Sequence, residues 1–354
     1  MSRHKKNLVV ILFENLLLEK NMKDEILYRI QKSFPLVKRP FEQIAKELNI
    51  SEDEVLKILQ KEKENKIIRQ TSAIFNTKKL GYTSSLVAFE IAAQNIDDAV
   101  LILNSHPGIS HNYERNHKYN IWFTLAIAPN SKSTLEDTIA TLAKLTNAKD
   151  YIILPTLKLF KISVKLDTTN KAEKKEHVAK TDFKGMELNE YHYNIIKEAQ
   201  NDIEITQEPF KEMVERLGIS YDEFFSVLNE FQDTGVMRRF ATILNHRHAG
   251  FGANAMVAWD IEEGEKGEEI GKIAASFSAV SHCYLRPKYP TWNYNLFTMI
   301  HGKTVEDTQE VINNIAKEIE YKSNLPLYSS REFKKVRIKY FCDEFKKWEE
   351  KYLN

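Results

Sequence analysis

The chain has 354 residues, carries 51 Lys and Arg against 50 Asp and Glu for a formal net charge of +1, and is 42% hydrophobic. That length holds two or more ordinary domains, and the balanced charge removes the global positive field that draws a protein onto nucleic acid. Two cysteines, Cys283 and Cys342, cannot build a disulfide framework, and no apolar run is long enough to span a bilayer, so a cytoplasmic protein with no membrane partner is expected.

The first segment, MSRHKKNLVVILFENLLLEK, joins a basic start to an apolar run. Glu14 and Asn15 interrupt that run and no small-residue cleavage site follows, so residues 1–21 read as a helical extension docked on the rest. Beyond it the chain is written twice. PFEQIAKELNISEDEVLKIL from Pro40 returns as PFKEMVERLGISYDEFFSVL from Pro209. KIIRQTSAIFNTKKLGY from Lys66 returns as GVMRRFATILNHRHAGF from Gly235, and LVAFEI from Leu86 as MVAWDI from Met256. ISHNYER from Ile109 matches VSHCYLR from Val280, and YNIWFTL from Tyr119 matches YNLFTMI from Tyr294. A repeat of this length is one architecture used twice.

Each half opens with three short helices, expected over 188–203, 207–217 and 221–234 in the second half. Ser51 and Ser220 are N-caps, with Glu54 and Glu223 three positions on as capping-box partners. A strand follows, 66–76 or 236–246, and then strand, helix, strand, strand, helix, strand. The strands are dense apolar runs (LVAFEIA, NIWFTLAIA) and the helices repeat every 3.6 residues (TLEDTIATLAKL, VEDTQEVINNIAKEI). The fold class is therefore α+β: two tandem copies of a winged helix-turn-helix followed by a ferredoxin-like βαββαβ unit. The boundaries are helix-turn-helix 22–80, ferredoxin-like unit 81–166, a polar linker 167–187, helix-turn-helix 188–249, ferredoxin-like unit 250–340 and a helical tail 341–354.

A helix-turn-helix that reads DNA places its second helix against phosphates. Here those helices open SEDEVLKILQ and SYDEFFSVLN, with acidic residues at the phosphate end, while Phe224 and Phe225 are suited to packing. KEKENK at 61–66 is a solvated face at the far end of its helix. The pattern argues against a nucleic-acid partner.

The stretch SHCYLRPKYPTWNYN, 281–295, is too polar and aromatic for a plain core strand. His282, Tyr284 and Arg286 alternate and would share one strand face, and His111, Tyr113 and Arg115 repeat the trio in the first half. The wing RRFATILNHRH adds Arg238, Arg239, His246, Arg247 and His248; the first half keeps Arg69 but has Thr77 and Lys79 where the histidines fall. Arginine forks match carboxylates, histidines move protons or ligate metals, and aromatic rings form flat walls. A flat, polycarboxylate, iron-bearing ring uses all three. The cysteines show no CxxC pairing and the histidines no HExxH spacing, which argues against zinc. Each residue also has a plainer role: a half-buried strand histidine, Arg286 paired to an acid, Tyr119 and Tyr294 packing, Cys283 a small buried hydrophobe, Trp292 a surface anchor beside Pro290.

RRFATILNHRHAGFGANAMVAWDI and VSHCYLRPKYPTWNYNLFTMIHG closely resemble the B subunit of the sirohaem decarboxylases (AhbB), and SAIFNTKKLGYTSSLVAFEI and HPGISHNYERNHKYNIWFTLAIAP resemble the A subunit (AhbA). Both belong to the Lrp/AsnC-like structural group, and their fusion in one chain resembles the NirDL type. The resemblance covers about 22–340. It implies a carboxy-lyase that converts the C12 and C18 acetates of sirohaem to methyls, giving 12,18-didecarboxysirohaem in haem biosynthesis, with no cofactor beyond the iron-bearing tetrapyrrole substrate. It also implies a pseudo-heterodimer within one chain, with a homodimer open. On this reading His282 or His246 is the proton donor or the axial ligand of the substrate iron, with Tyr284 or Tyr289 assisting. Arg238, Arg239 and Arg286 clamp carboxylates beside His248, Lys288 and Tyr294, and Arg69, His111, Tyr113 and Arg115 form the equivalent first-half pocket. Arg286→Ala is then expected to weaken ligand binding and leave the fold intact. Two other functions share these features: an Lrp/AsnC-type transcriptional regulator, and a haem or tetrapyrrole sensor without turnover.

Overall fold

The structure is a computed structural model that describes residues 21–162, 186–245 and 253–353. The linker expectation at 167–185 and the wing residues His246, Arg247 and His248 lie outside the described residues. The described chain forms two compact units that divide by element type rather than by half: residues up to 80 together with 186–245, and residues 81–162 together with 253–353.

The first unit holds both helix-turn-helices. One contributes α1 (residues 21–32), α2 (Pro40–Leu48), α3 (Glu52–Glu64) and strand β1 (Ile68–Phe75). The other supplies four elements from the second half, numbered α6 (Glu190–Ala199), α7 (Lys211–Leu217), α8 (Tyr221–Asp233) and β7 (Met237–Leu244). The two wings pair with each other as one antiparallel ribbon, from Ile68 opposite Leu244 to Phe75 opposite Met237. Thr71 Oγ1 and Thr242 Oγ1 meet at 2.7 Å across its buried centre, satisfying two hydroxyls that would otherwise be costly to bury. Phe34, Phe210 and Phe240 pack at 5.5–6.2 Å between helices and ribbon, and Phe224 and Phe225 join this core as expected. Ser51 and Glu54 complete a reciprocal capping box. Ser220 caps α8, but the Glu223 carboxylate takes the Tyr191 hydroxyl at 2.6 Å instead of closing a box.

The second unit holds both ferredoxin-like repeats. The first runs β2 (Thr83–Glu90), α4 (Ile96–Ser105), β3 (Ile109–Arg115), β4 (Ile121–Ile127), α5 (Leu135–Leu145), β5 (Asp150–Pro155) and β6 (Lys158–Ile162). The second runs β8 (Ala253–Asp260), α9 (Glu265–Ser276), β9 (Val280–Leu285), β10 (Leu296–Gly302), α10 (Val305–Glu318) and β11 (Ser323–Lys335), and the chain ends in α11 (Glu344–Tyr352). The strand order is β5-β2-β4-β3-β11-β8-β10-β9-β6, all antiparallel. Each repeat thus lends the tail of its last strand to the other. Ser323–Tyr328 of β11 pairs with β8, whereas Ser329–Lys335 pairs with β3, and β6 crosses from the first repeat to pair with β9.

Each repeat keeps an apolar core between its helices and its sheet, and the opposite sheet faces share a third core of Ala88, Trp122, Leu154, Met256, Trp292 and Phe297. The lent strand β6 is seated by close approach: a Cβ on Gly271 of α9 would fall 2.3 Å from the Phe160 ring. Gly271→Val is expected to eject Phe160 and loosen β6, costing about 1–3 kcal/mol in urea denaturation. A second change, Phe160→Leu, should recover part of that loss, and unchanged stability in the single variant would contradict the close fit.

The tail returns onto the first repeat. Trp348 of α11 donates from Nε1 to Ser105 Oγ at 3.1 Å and lies 4.3 Å from the buried His106 ring. Glu349 accepts from the Ser131 hydroxyl. The Gly108 amide donates to His106 Nδ1 at 3.0 Å, and burial pushes this imidazole down to about 3. A histidine held neutral in the fold but free to protonate in the unfolded chain contributes stability above about pH 6.5 that is lost as pH falls toward the folded value. The melting temperature is therefore expected to drop on acidification below about 6.5, and to drop less in His106→Gln. Parallel curves would show that this histidine does not contribute.

Candidate functional site

Strand β9 carries the site, and a bulge in it sets the geometry. Met299 of β10 faces His282 and Ile300 faces Val280, so Ser281 is the extra residue. Plain alternation would separate Ser281 from His282. The bulge instead brings Ser281 Oγ to 2.8 Å from His282 Nδ1 and 2.7 Å from His301 Nε2. His301 Nδ1 lies 2.6 Å from Asn254 Oδ1. His282 and Tyr284 stack at 6.1 Å on the face shared with their partners Met299 and Phe297. Both are half-buried.

The first repeat has the same bulge, with Ser110 left over between Ile109 and His111. Ser110 Oγ meets His111 Nδ1 at 2.9 Å, and His111 stacks with Tyr113 at 6.2 Å. There the serine ends on Thr124 Oγ1 at 2.8 Å. Sequence reasoning missed Ser281, His301 and Asn254. The available signal was His301 two positions after Met299, on one strand face with it.

The structure redraws the arginines. Arg286 is buried, donates from Nη1 to the Leu154 carbonyl, and lies over the Tyr284 and Phe297 rings at 4.8 and 5.5 Å. Arg115 does the same in the other repeat: buried, donating to the Leu327 carbonyl, 5.5 Å over Tyr113. Arg286 holds β5 and Arg115 holds β11, each a strand of the opposite repeat, and burial lowers both to about 10, still protonated at neutral pH. Both expected carboxylate clamps are thus buried, each with Nη1 engaged by a backbone carbonyl. The partner of Arg286 is this backbone carbonyl rather than the acid expected for its plainer role.

The loop between β9 and β10 is likewise committed inward. Lys288 Nζ pairs with Asp260 at 2.6 Å and donates to the Ile261 carbonyl at 2.9 Å. The Tyr289 hydroxyl donates to the Ile153 carbonyl. Trp292, expected at the surface, is 2% exposed and wedged 5.3 Å from Trp122 and 5.0 Å from Tyr294. RPKYPTWNYN is four residues longer than its counterpart RNHKYN, and the extra chain supplies this wedge. Tyr119 packs as expected, its hydroxyl donating to Asp150 at 2.7 Å. Cys283 is a buried hydrophobe against Gly271.

Arg69, Arg238 and Arg239 lie in the other unit, exposed on β1 and β7. Repulsion from Arg238 adds to desolvation, the larger cause, in lowering Arg239. The first turns of α3 and α8 keep Glu52, Asp53, Asp222 and Glu223, a poor surface for phosphate. Among the described residues no helix is long and apolar enough to cross a membrane.

Comparison with known proteins fits this geometry. The AsnC-like ligand binding domain family matches residues 79–161 and 248–334, and the Siroheme decarboxylase NirDL-like HTH domain matches 23–69 and 193–238. A siroheme decarboxylase of Hydrogenobacter thermophilus is 42% identical over 325 residues, covering 92% of this chain and 96% of that protein. The siroheme decarboxylase beta subunit of Methanosarcina barkeri is 42% identical over 145 residues, 41% of this chain and 95% of the subunit. The crystal structure of the siroheme decarboxylase NirDL in complex with an iron-uroporphyrin III analogue superposes with a TM-score of 0.76 at 35% identity, covering 94% of this chain and 98% of that one.

Proposed function

The chain belongs to the sirohaem decarboxylase family and is a carboxy-lyase acting on sirohaem; from that premise we propose that it removes the C12 and C18 acetate carboxyls, with His282 as the acid. The observation that carries the reading is the match to a siroheme decarboxylase along 92% of the chain. The His282–Tyr284 stack, oriented by Ser281, supports the assignment of the acid.

Protonation of the pyrrole carbon beside an acetate turns the ring into an electron sink. The CH2–COO⁻ bond breaks, its electron pair enters the ring as an exocyclic methylene, and CO2 leaves. The methylene carbon then takes a proton to become methyl, and the ring carbon returns its proton. Each acetate consumes one proton net, and the electrons stay in the macrocycle, so no cofactor beyond the substrate's own iron is required. The protein's tasks are to supply protons, hold the carboxylates and exclude water. His282 on a strand meets the first. Tyr284 stacks against it and orients it. Arg286, over the Tyr284 ring, already gives an Nη1 hydrogen to the Leu154 carbonyl. Iron ligation by His282 competes with its role as acid, which leaves His246 as the axial candidate. The fused halves act as a pseudo-heterodimer.

The positions of reaction are tested by proton NMR of the extracted, demetallated product. New methyls at C12 and C18 are expected. Methyls elsewhere on the ring would overturn the regiochemistry.

A further inference from the structure

The geometry points to Ser281 and His301 as positioning residues that deliver protons to His282, a wiring that, among the described residues, the second repeat has and the first does not repeat; this deepens the decarboxylase reading and rests on it. The reaction consumes one proton per acetate, so a half-buried acid needs resupply. A hydrogen-bonded line runs from His282 Nδ1 through Ser281 Oγ (2.8 Å) to His301 Nε2 (2.7 Å), and from His301 Nδ1 to Asn254 Oδ1 (2.6 Å) on the exposed rim.

The donor and acceptor inventory orients this line. An amide oxygen only accepts, so His301 Nδ1 carries a hydrogen. With His301 neutral, its Nε2 accepts from the Ser281 hydroxyl, and Ser281 Oγ accepts from His282 Nδ1–H. His282 is then the Nδ1–H tautomer. With His301 protonated, Nε2–H donates to Ser281, Ser281 donates to His282 Nδ1, and His282 presents its hydrogen at Nε2. Delivery follows: His282 gives Nε2–H to the substrate carbon, Ser281 passes its hydrogen to His282 Nδ1, and His301 replaces the hydrogen on Ser281. Three N–H or O–H bonds break, two N–H or O–H bonds and one C–H bond form, and no electron changes hands. His301 is left neutral with its Nδ1–H still on Asn254 Oδ1, and its Nε2 takes up one proton from solvent between turnovers. The alternative acceptor for the serine, the Met299 carbonyl, is farther away at 3.4 Å.

Among the described residues, the first repeat does not continue this line to a second histidine. Ala126 stands where the second repeat has His301, and Ser84 stands opposite it in place of Asn254. Ser110 ends on Thr124.

The test is an anaerobic single-turnover assay on the full chain with sirohaem. The rate of CO2 loss is read by mass spectrometry and binding by titration of the Soret band, for the unaltered chain and for Ser281→Ala, Ser281→Thr, His301→Ala and His301→Gln. The relay is expected to show as at least a tenfold fall in rate in Ser281→Ala and His301→Ala at an unchanged binding midpoint, with Ser281→Thr recovering most of the rate. His301→Gln keeps a polar side chain on the rim, serves where the alanine variant fails to fold, and is also expected to be slow. Unaltered rates in the alanine variants, a Ser281→Thr as slow as Ser281→Ala, or binding lost in parallel with rate would each overturn the relay. An unaltered chain that binds sirohaem and releases no CO2 would overturn the decarboxylase reading itself, an outcome distinct from the others.

Discussion

Arg286→Ala is expected to lower the stability of the ferredoxin-like unit by about 3 kcal/mol or more, a larger effect than on any direct contact with ligand. The substitution leaves the buried Leu154 carbonyl without its donor, at about 1–3 kcal/mol. It also removes a cation from the faces of Tyr284 and Phe297, worth about 1–2 kcal/mol when desolvated, and leaves a void among tightly packed rings. Arg238→Ala, on an exposed ribbon, is expected to stay within about 0.5 kcal/mol of the unaltered protein. Urea denaturation distinguishes the two. If Arg286→Ala unfolds at the same urea concentration as the unaltered chain, the inward arginine does not hold the sheets and the open-clamp expectation revives.

His282→Ala is expected to cut turnover by roughly 10²-fold or more while sirohaem still binds, because an acid contributes about that factor to a proton-transfer step. His111→Ala should cost far less. Both histidines sit on a bulge beside a serine and stack on a tyrosine at nearly the same distance, 6.1 and 6.2 Å. Only the second is connected onward through its serine to His301. Equal losses in the two variants would mean that the repeats share the chemistry, and the wiring would then lose its explanation.

Much of this was legible in the sequence because the chain repeats itself. Period-2 alternation placed His282 and Tyr284 on one face, and Ser51 and Ser220 marked the helix starts. What stayed hidden depended on distant partners. Arg286 and Leu154 are separated by 132 positions, and nothing local shows that a strand from the other repeat will bring a carbonyl to that guanidinium. The exchange of β6 and of the end of β11 is equally invisible, since any edge strand offers the same unpaired backbone groups. Trp292 looked exposed because Pro290 flanks it, yet the longer loop folds it between the sheets. His301 escaped notice because a lone strand histidine is ordinary, and only the bulge at Ser281 connects it to His282.

The most direct measurement is a mass spectrum of the tetrapyrrole extracted after the purified chain is incubated anaerobically with sirohaem. Loss of two CO2 units is expected from the unaltered protein, with His282→Ala returning sirohaem bound but intact. A tetrapyrrole of unchanged mass with a shifted Soret band, from the unaltered protein, would contradict the account and make the chain a binding protein.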